Sequence, residues 1–188
     1  MSDAARVVTA FHEAGHAFFA AVCDLLDDYV SIGPFAPSQA HGETKIRTAS
    51  DDELPVTIDV RVLAAAAGVE AEKRKIQLLR TDQDYGAFLN ALAESQGMDL
   101  ADPNRRFTSD DGDRERVRND LKRLDREGEA AALYSGAQAK AAERLKDPAV
   151  WDCVSEIADA LLADEKVKQE KVHAILRRHG FTVGQDCP

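Results

Sequence analysis

The chain has 188 residues, 44% hydrophobic and 31% charged, which suits one globular domain with a real core. Its formal net charge of -10 argues against phosphate-backbone binding as the main activity, because a nucleic-acid binder needs a basic face. No apolar stretch approaches the roughly 20 residues needed to cross a bilayer, and Met1 to Arg6 lacks signal-peptide form, so a soluble, cytoplasmic protein is expected.

Val7, Val8, Phe11, Ala14, Phe18 and Val22 recur at helical spacing, which predicts a core helix from about Ala4 to Val22. Inside it runs Phe11-His12-Glu13-Ala14-Gly15-His16, an H-E-x-x-H pattern. On a helix the two histidines stand about 6 Å apart along the axis and about 40° apart around it. Both imidazoles can therefore face one metal ion. Glu13 lies about 100° round the cylinder, beside that ion, where a general base for an activated water belongs. Gly15 costs about 1 kcal/mol relative to alanine in a helix interior, which points to a close approach there by a substrate or by another helix.

Cys23, Cys153 and Cys187 are far apart and odd in number, so no disulfide framework and a reducing compartment are expected. Cys23 sits about 10 Å beyond His16 along the helix, too far to share an ion, and reads as a core residue. Tyr29–Gly33 and Thr44–Arg47 read as two short strands, linked through Gly33-Pro34, Pro37 and Gly42. Ser50 and Glu53 form a capping-box pattern ahead of a helix that becomes regular near Pro55 and runs to about Leu79. A further helix, capped by Thr81, is expected to end near Gly97, followed by a polar loop from Met98 to Thr108.

From Asp110 a long charged helix follows, with candidate breaks at Gly128 and Gly136. The Asp110–Asp113 cluster lacks calcium-loop spacing and reads as a helix start. Asp147-Pro148 is an N-cap with proline at the first helical position, and Val150, Val154, Ile157, Ala158 and Leu161 form the buried stripe of the helix it opens. The last helix is expected over Val167–Arg178, stopped by Gly180. The fold class is thus mainly α, with a small β-hairpin or sheet beside the H-E-x-x-H helix.

A catalytic zinc site normally has three protein ligands and an open position. The extended H-E-x-x-H-x-x-G-x-x-H pattern fails, since Phe19 and Val22 occupy its later positions. On spacing alone His41, Glu70, Glu72, Asp82 and Asp84 all stay open as the third ligand.

His12-Glu13-Ala14-Gly15-His16-Ala17, Val30-Ser31-Ile32-Gly33-Pro34 and His41-Gly42-Glu43-Thr44 together resemble the peptidase domain of FtsH-type ATP-dependent zinc proteases. Gly68-Val69-Glu70-Ala71-Glu72 is similar to that family's G-x-x-A-E segment. Thr81-Asp82-Gln83-Asp84-Tyr85 resembles the stretch in which an aspartate supplies its third ligand, and Ile157–Leu162 through Leu176 its closing helix pair. The resemblance spans essentially the whole chain, although H-E-A-G-H alone is specific. It implies zinc held by His12, His16 and Asp84, with Asp82 as the alternative, and Glu13 as catalytic base. Glu72 then orients a ligand or makes a structural ion pair.

The implied activity is that of a zinc metalloendopeptidase acting on flexible or unfolded polypeptides. The implied organisation is one FtsH-like domain over 1–188, with a zinc-site half at 1–97 and a helical half at 98–188. The family's AAA ATPase module and membrane helices have no counterpart here, and no G-x-x-x-x-G-K-[ST] loop occurs. Cleavage is therefore expected to be independent of ATP, with a separate ATPase or a homo-oligomer as conceivable partners, and neither nucleic acid nor membrane. The alternative is a catalytically silent metal-binding regulatory or interaction module of the same fold.

Overall fold

The computed structural model describes residues 3–33, 42–79 and 111–187. Helix α1 (Asp3–Val22) leads into strand β1 (Leu26–Ile32), strand β2 (Gly42–Ile46) and the long helix α2 (Leu54–Leu79). Helix α3 (Asp111–Lys122), a 3₁₀ turn (Glu127–Glu129) and α4 (Ala130–Arg144) follow. Helix α5 (Pro148–Asp164), strand β3 (Lys166–Lys168) and α6 (Gln169–Arg178) close the order. The described residues are mainly helical, with one antiparallel sheet among them in the order β2-β1-β3.

Helix α1 is the axle of the core. Alanines and phenylalanines cover it nearly all round: Ala10, Ala14, Ala17, Phe19, Ala20 and Ala21 have no exposed surface. A helix apolar on every side must be covered on every side, and α2, α5, α6 and the sheet all pack against it. Gly15 shows how closely. A methyl group there would stand 2.7 Å from the Ala67 carbonyl oxygen and 2.8 Å from the Ala71 methyl. The glycine thus serves the packing of α2 rather than a substrate.

Local signals account for most element boundaries. The Ser50 N–H donates to Glu53 Oε2 at 3.1 Å and the Glu53 N–H to Ser50 Oγ at 3.3 Å, the reciprocal pair of a capping box just ahead of α2. Asp147 accepts from the Ala149 N–H at 2.9 Å, with Pro148 as the first residue of α5. The expected stripe of α5, Val150, Val154, Ile157, Ala158 and Leu161, is fully buried.

The charged helix breaks over 123–129, around Gly128 as expected, with Asp125 in a left-handed conformation (φ 57°) that aspartate tolerates, while Gly136, the other candidate break, lies inside α4. Two expectations need correction. Val167 belongs to a strand, not to the last helix. It pairs with Val30, its side chain buried between outward Lys166 and Lys168, and tertiary pairing overrides the helical reading. The cysteines are not all free: Cys23 and Cys187 form a disulfide, leaving Cys153 buried and unpaired. The chain end is drawn back to the end of α1 by the Gly184 N–H, which donates to the Val22 carbonyl at 2.8 Å, and by Phe181 packing edge-on against Phe18. Disulfides persist in oxidising surroundings, which weighs against the reducing compartment expected from the cysteine count. Among the described residues no helix is long and apolar enough to cross a membrane.

Candidate metal centre

His12, Glu13 and His16 lie on α1 and are nearly buried, at 7%, 6% and 3% exposure. In an apolar core such groups persist only where hydrogen bonds satisfy them. Helix α2 supplies two of these. His16 Nδ1 lies 2.8 Å from the Ala64 carbonyl, which can only accept, so the ring donates there. His12 Nδ1 faces Glu72 Oε2 at 3.2 Å and donates to the carboxylate. Glu72 therefore meets a histidine in a contact that fits both roles expected for it, orienting a ligand and making a structural ion pair. Glu70 instead pairs with Lys73 at 2.6 Å, away from the histidines.

Both outer nitrogens then turn the same way. His12 Nε2 and His16 Nε2 are 3.0 Å apart, and Asp113 Oδ2 stands 3.4 Å from the first and 3.2 Å from the second. With each Nδ1 acting as donor, the neutral rings present lone pairs to one another and to a carboxylate. That arrangement requires a cation. A proton can serve, and so can a metal: donors at about 2.0–2.1 Å from a tetrahedral zinc stand roughly 3.3 Å from each other. The set His12, His16, Asp113 is compatible with the nitrogen–oxygen chemistry that zinc accepts.

Burial disfavours charge on His12, but hydrogen bonds to Asp113 and Glu72, with the charge of Glu13 added, raise its pKa to about 10. Burial likewise works against an ionised Asp113, yet the two histidines reverse this and hold its carboxyl well below the usual range. The cluster favours a positive charge at its centre.

The space for that charge depends on a missing side chain. Gly68 of α2 lies beneath the rings, and a methyl group there would fall 2.4 Å from His16 Nε2 and 2.9 Å from His12 Nε2. Glu13 packs beside the rings against β2, where its Oε2 accepts from the Thr44 hydroxyl at 2.8 Å.

The expected third ligand Asp84, its alternative Asp82, and His41 fall outside the described residues. Among the described residues the third group is Asp113, whose sequence context marks only a helix start. It is indeed in the first turn of α3, but its side chain turns inward. The missed signal was the recurrence of Asp113, Val117 and Leu121 at every fourth position, the buried face of α3. The cluster also crosses the expected division at 97–98.

No protein-family model matches the chain, and no curated protein matches it. The functional reading therefore rests on the motif and on the geometry around it.

Proposed function

We propose that the protein is a zinc-dependent endopeptidase in which His12, His16 and Asp113 hold the metal and Glu13 is the catalytic base. The observation that carries this reading is the convergence of two imidazole Nε2 atoms and one carboxylate oxygen, each imidazole backed by a partner on Nδ1, with a buried glutamate alongside. Asp113 takes the place that the resemblance to FtsH-type proteases suggested for Asp84.

Bound zinc would supply a Lewis acid and a water of lowered pKa. Glu72 and the Ala64 carbonyl fix the tautomers of the ligand rings, so that both Nε2 atoms stay available as donors to a metal. Glu13 accepts the proton of the attacking water and returns it to the amine nitrogen as the peptide bond breaks. Among the described residues strand β2 is bordered by β1 alone, and its other side would offer main-chain groups to an extended peptide. Such recognition needs a substrate segment free of its own pairing, so flexible or unfolded chains are the substrates, without ATP.

Elemental analysis combined with cleavage of a fluorogenic peptide and of casein tests the reading. About one zinc per chain is expected, absent from a His12→Ala/His16→Ala variant. Glu13→Gln should keep the metal and lose about 10²–10⁴-fold in kcat. Metal without cleavage in the wild type would favour the silent binding module; no metal at all would remove both.

A further inference from the structure

We propose that Thr44 is a positioning residue for Glu13, clamping the base carboxylate against strand β2; this rests on the peptidase reading above. The inference starts from the register of the sheet. Val30 pairs with Thr44 and Ile32 with Gly42, so β2 is fixed along β1 to the residue. Residues two apart on a strand share a face, and Gly42 and Thr44 both meet the Glu13 side chain.

The two contacts do different things. Thr44, 3% exposed, places Oγ1 2.8 Å from Glu13 Oε2 and 3.1 Å from the Glu13 carbonyl oxygen. A hydroxyl has one proton, and the carboxylate is both the nearer and the charged acceptor. Gly42 supplies clearance: a methyl group there would stand 2.6 Å from both Cγ and Oε1 of Glu13. One residue holds an oxygen while the other lets the side chain lie flat on the strand.

A glutamate side chain has three torsions, and a base must be held close to its productive geometry. On the exposed side of the strand the pattern differs: Glu43 accepts from the Tyr29 hydroxyl at 2.7 Å, and the exposed Lys45 reaches Asp27 and Asp28 of β1 at 3.9 Å each. Thr44 is thus the strand's side chain committed to the base.

The test compares Thr44→Val, which keeps the shape and removes the hydroxyl, with Thr44→Ser, which keeps the hydroxyl. Zinc content should stay at about one per chain in both. For Thr44→Val, kcat on a fluorogenic peptide should fall about 10–100-fold with KM within about twofold, and Thr44→Ser should return to within about threefold of wild type. On a Glu13→Gln background, Thr44→Val should cost nothing further, because Thr44 acts through the carboxylate. A kcat within about twofold in Thr44→Val, a loss confined to KM, or no rescue by serine overturns the proposal.

Crystal structures of the purified wild type and both variants separate this from failure of the peptidase reading. If the wild type cleaves nothing, that reading falls. The clamp then stands if the Glu13 carboxylate leaves its place in Thr44→Val but keeps it in Thr44→Ser. An undisturbed carboxylate in Thr44→Val overturns the clamp.

Discussion

Helix α1 has two interiors. Around His12, Glu13 and His16 it is held by directional contacts to Ala64 and Glu72 of α2, Thr44 of β2 and Asp113 of α3. One turn further on, Phe18, Phe19 and Val22 are held by apolar packing, with Phe181 edge-on to Phe18 and Cys23 tied to Cys187. The first region tolerates no change of shape or charge, since each group satisfies a neighbour that would otherwise be buried unpaired. The second loses contacts in proportion to the volume removed. The two stretches of one helix are thus held by different forces.

The sharpest way to break that contrast is Gly68→Ala. Its methyl group would occupy the space between the rings, so metal content should fall to background even if the protein still melts cooperatively. Elemental analysis beside a thermal melt checks both halves of the statement. Asp113→Ala should weaken zinc affinity by at least about 100-fold, while Asp84→Ala stays near wild type; competitive chelator titration decides. The reverse ranking would return the third ligand to Asp84.

Cys187→Ser attacks the other region. It opens a link spanning 164 residues and should cost about 2–5 kcal/mol in urea unfolding with zinc stoichiometry unchanged. Loss of metal on breaking this link would show that the two regions are coupled after all.

A pH series sharpens the contrast further. In metal-free protein the charge on His12 stabilises fully below its ordinary 6.5, and this contribution is lost as pH rises through about 10. The lowered Asp113 carboxyl contributes above 3.8 and is lost as pH falls below that. The cluster therefore stabilises most between about pH 4 and 6.5 without metal, and the metal-free melting temperature should decline towards pH 9. Added zinc competes with the proton on His12, so the increment it gives should grow over the same range.

The smallest effect belongs to Cys153, which is fully buried on α5, its thiol pushed up to about 12 by burial and then by the charge of Glu156. A thiol reagent at pH 8 should label it on unfolding and hardly before.

The legible part of this site is the part written locally. His12, Glu13 and His16 share one helical turn, so their spacing alone places them together. Glu72 was legible as a carboxylate on the second helix, although not which ring nitrogen it would meet. Asp113 was hidden among 34 acidic residues, because which one turns inward depends on how α3 docks. Gly42 and Gly68 were opaque for a related reason: the need for an absent Cβ is set by what crosses it, not by the neighbouring sequence. In the fold, helices with caps and stripes were readable at both ends. The three residues of β3 are too few to show a period, and a cysteine pair 164 residues apart leaves no local trace.

The placement of Asp113 has a consequence for how the molecule is made. His12 and His16 emerge from the ribosome about a hundred residues before their third partner, a delay of about 5–20 s at ordinary rates of synthesis. During that interval α1 carries its ionisable groups on a rod that is otherwise apolar. Strand β3, which pairs with Val30, arrives later still. Helix α1 is therefore synthesised before two of the segments that satisfy it.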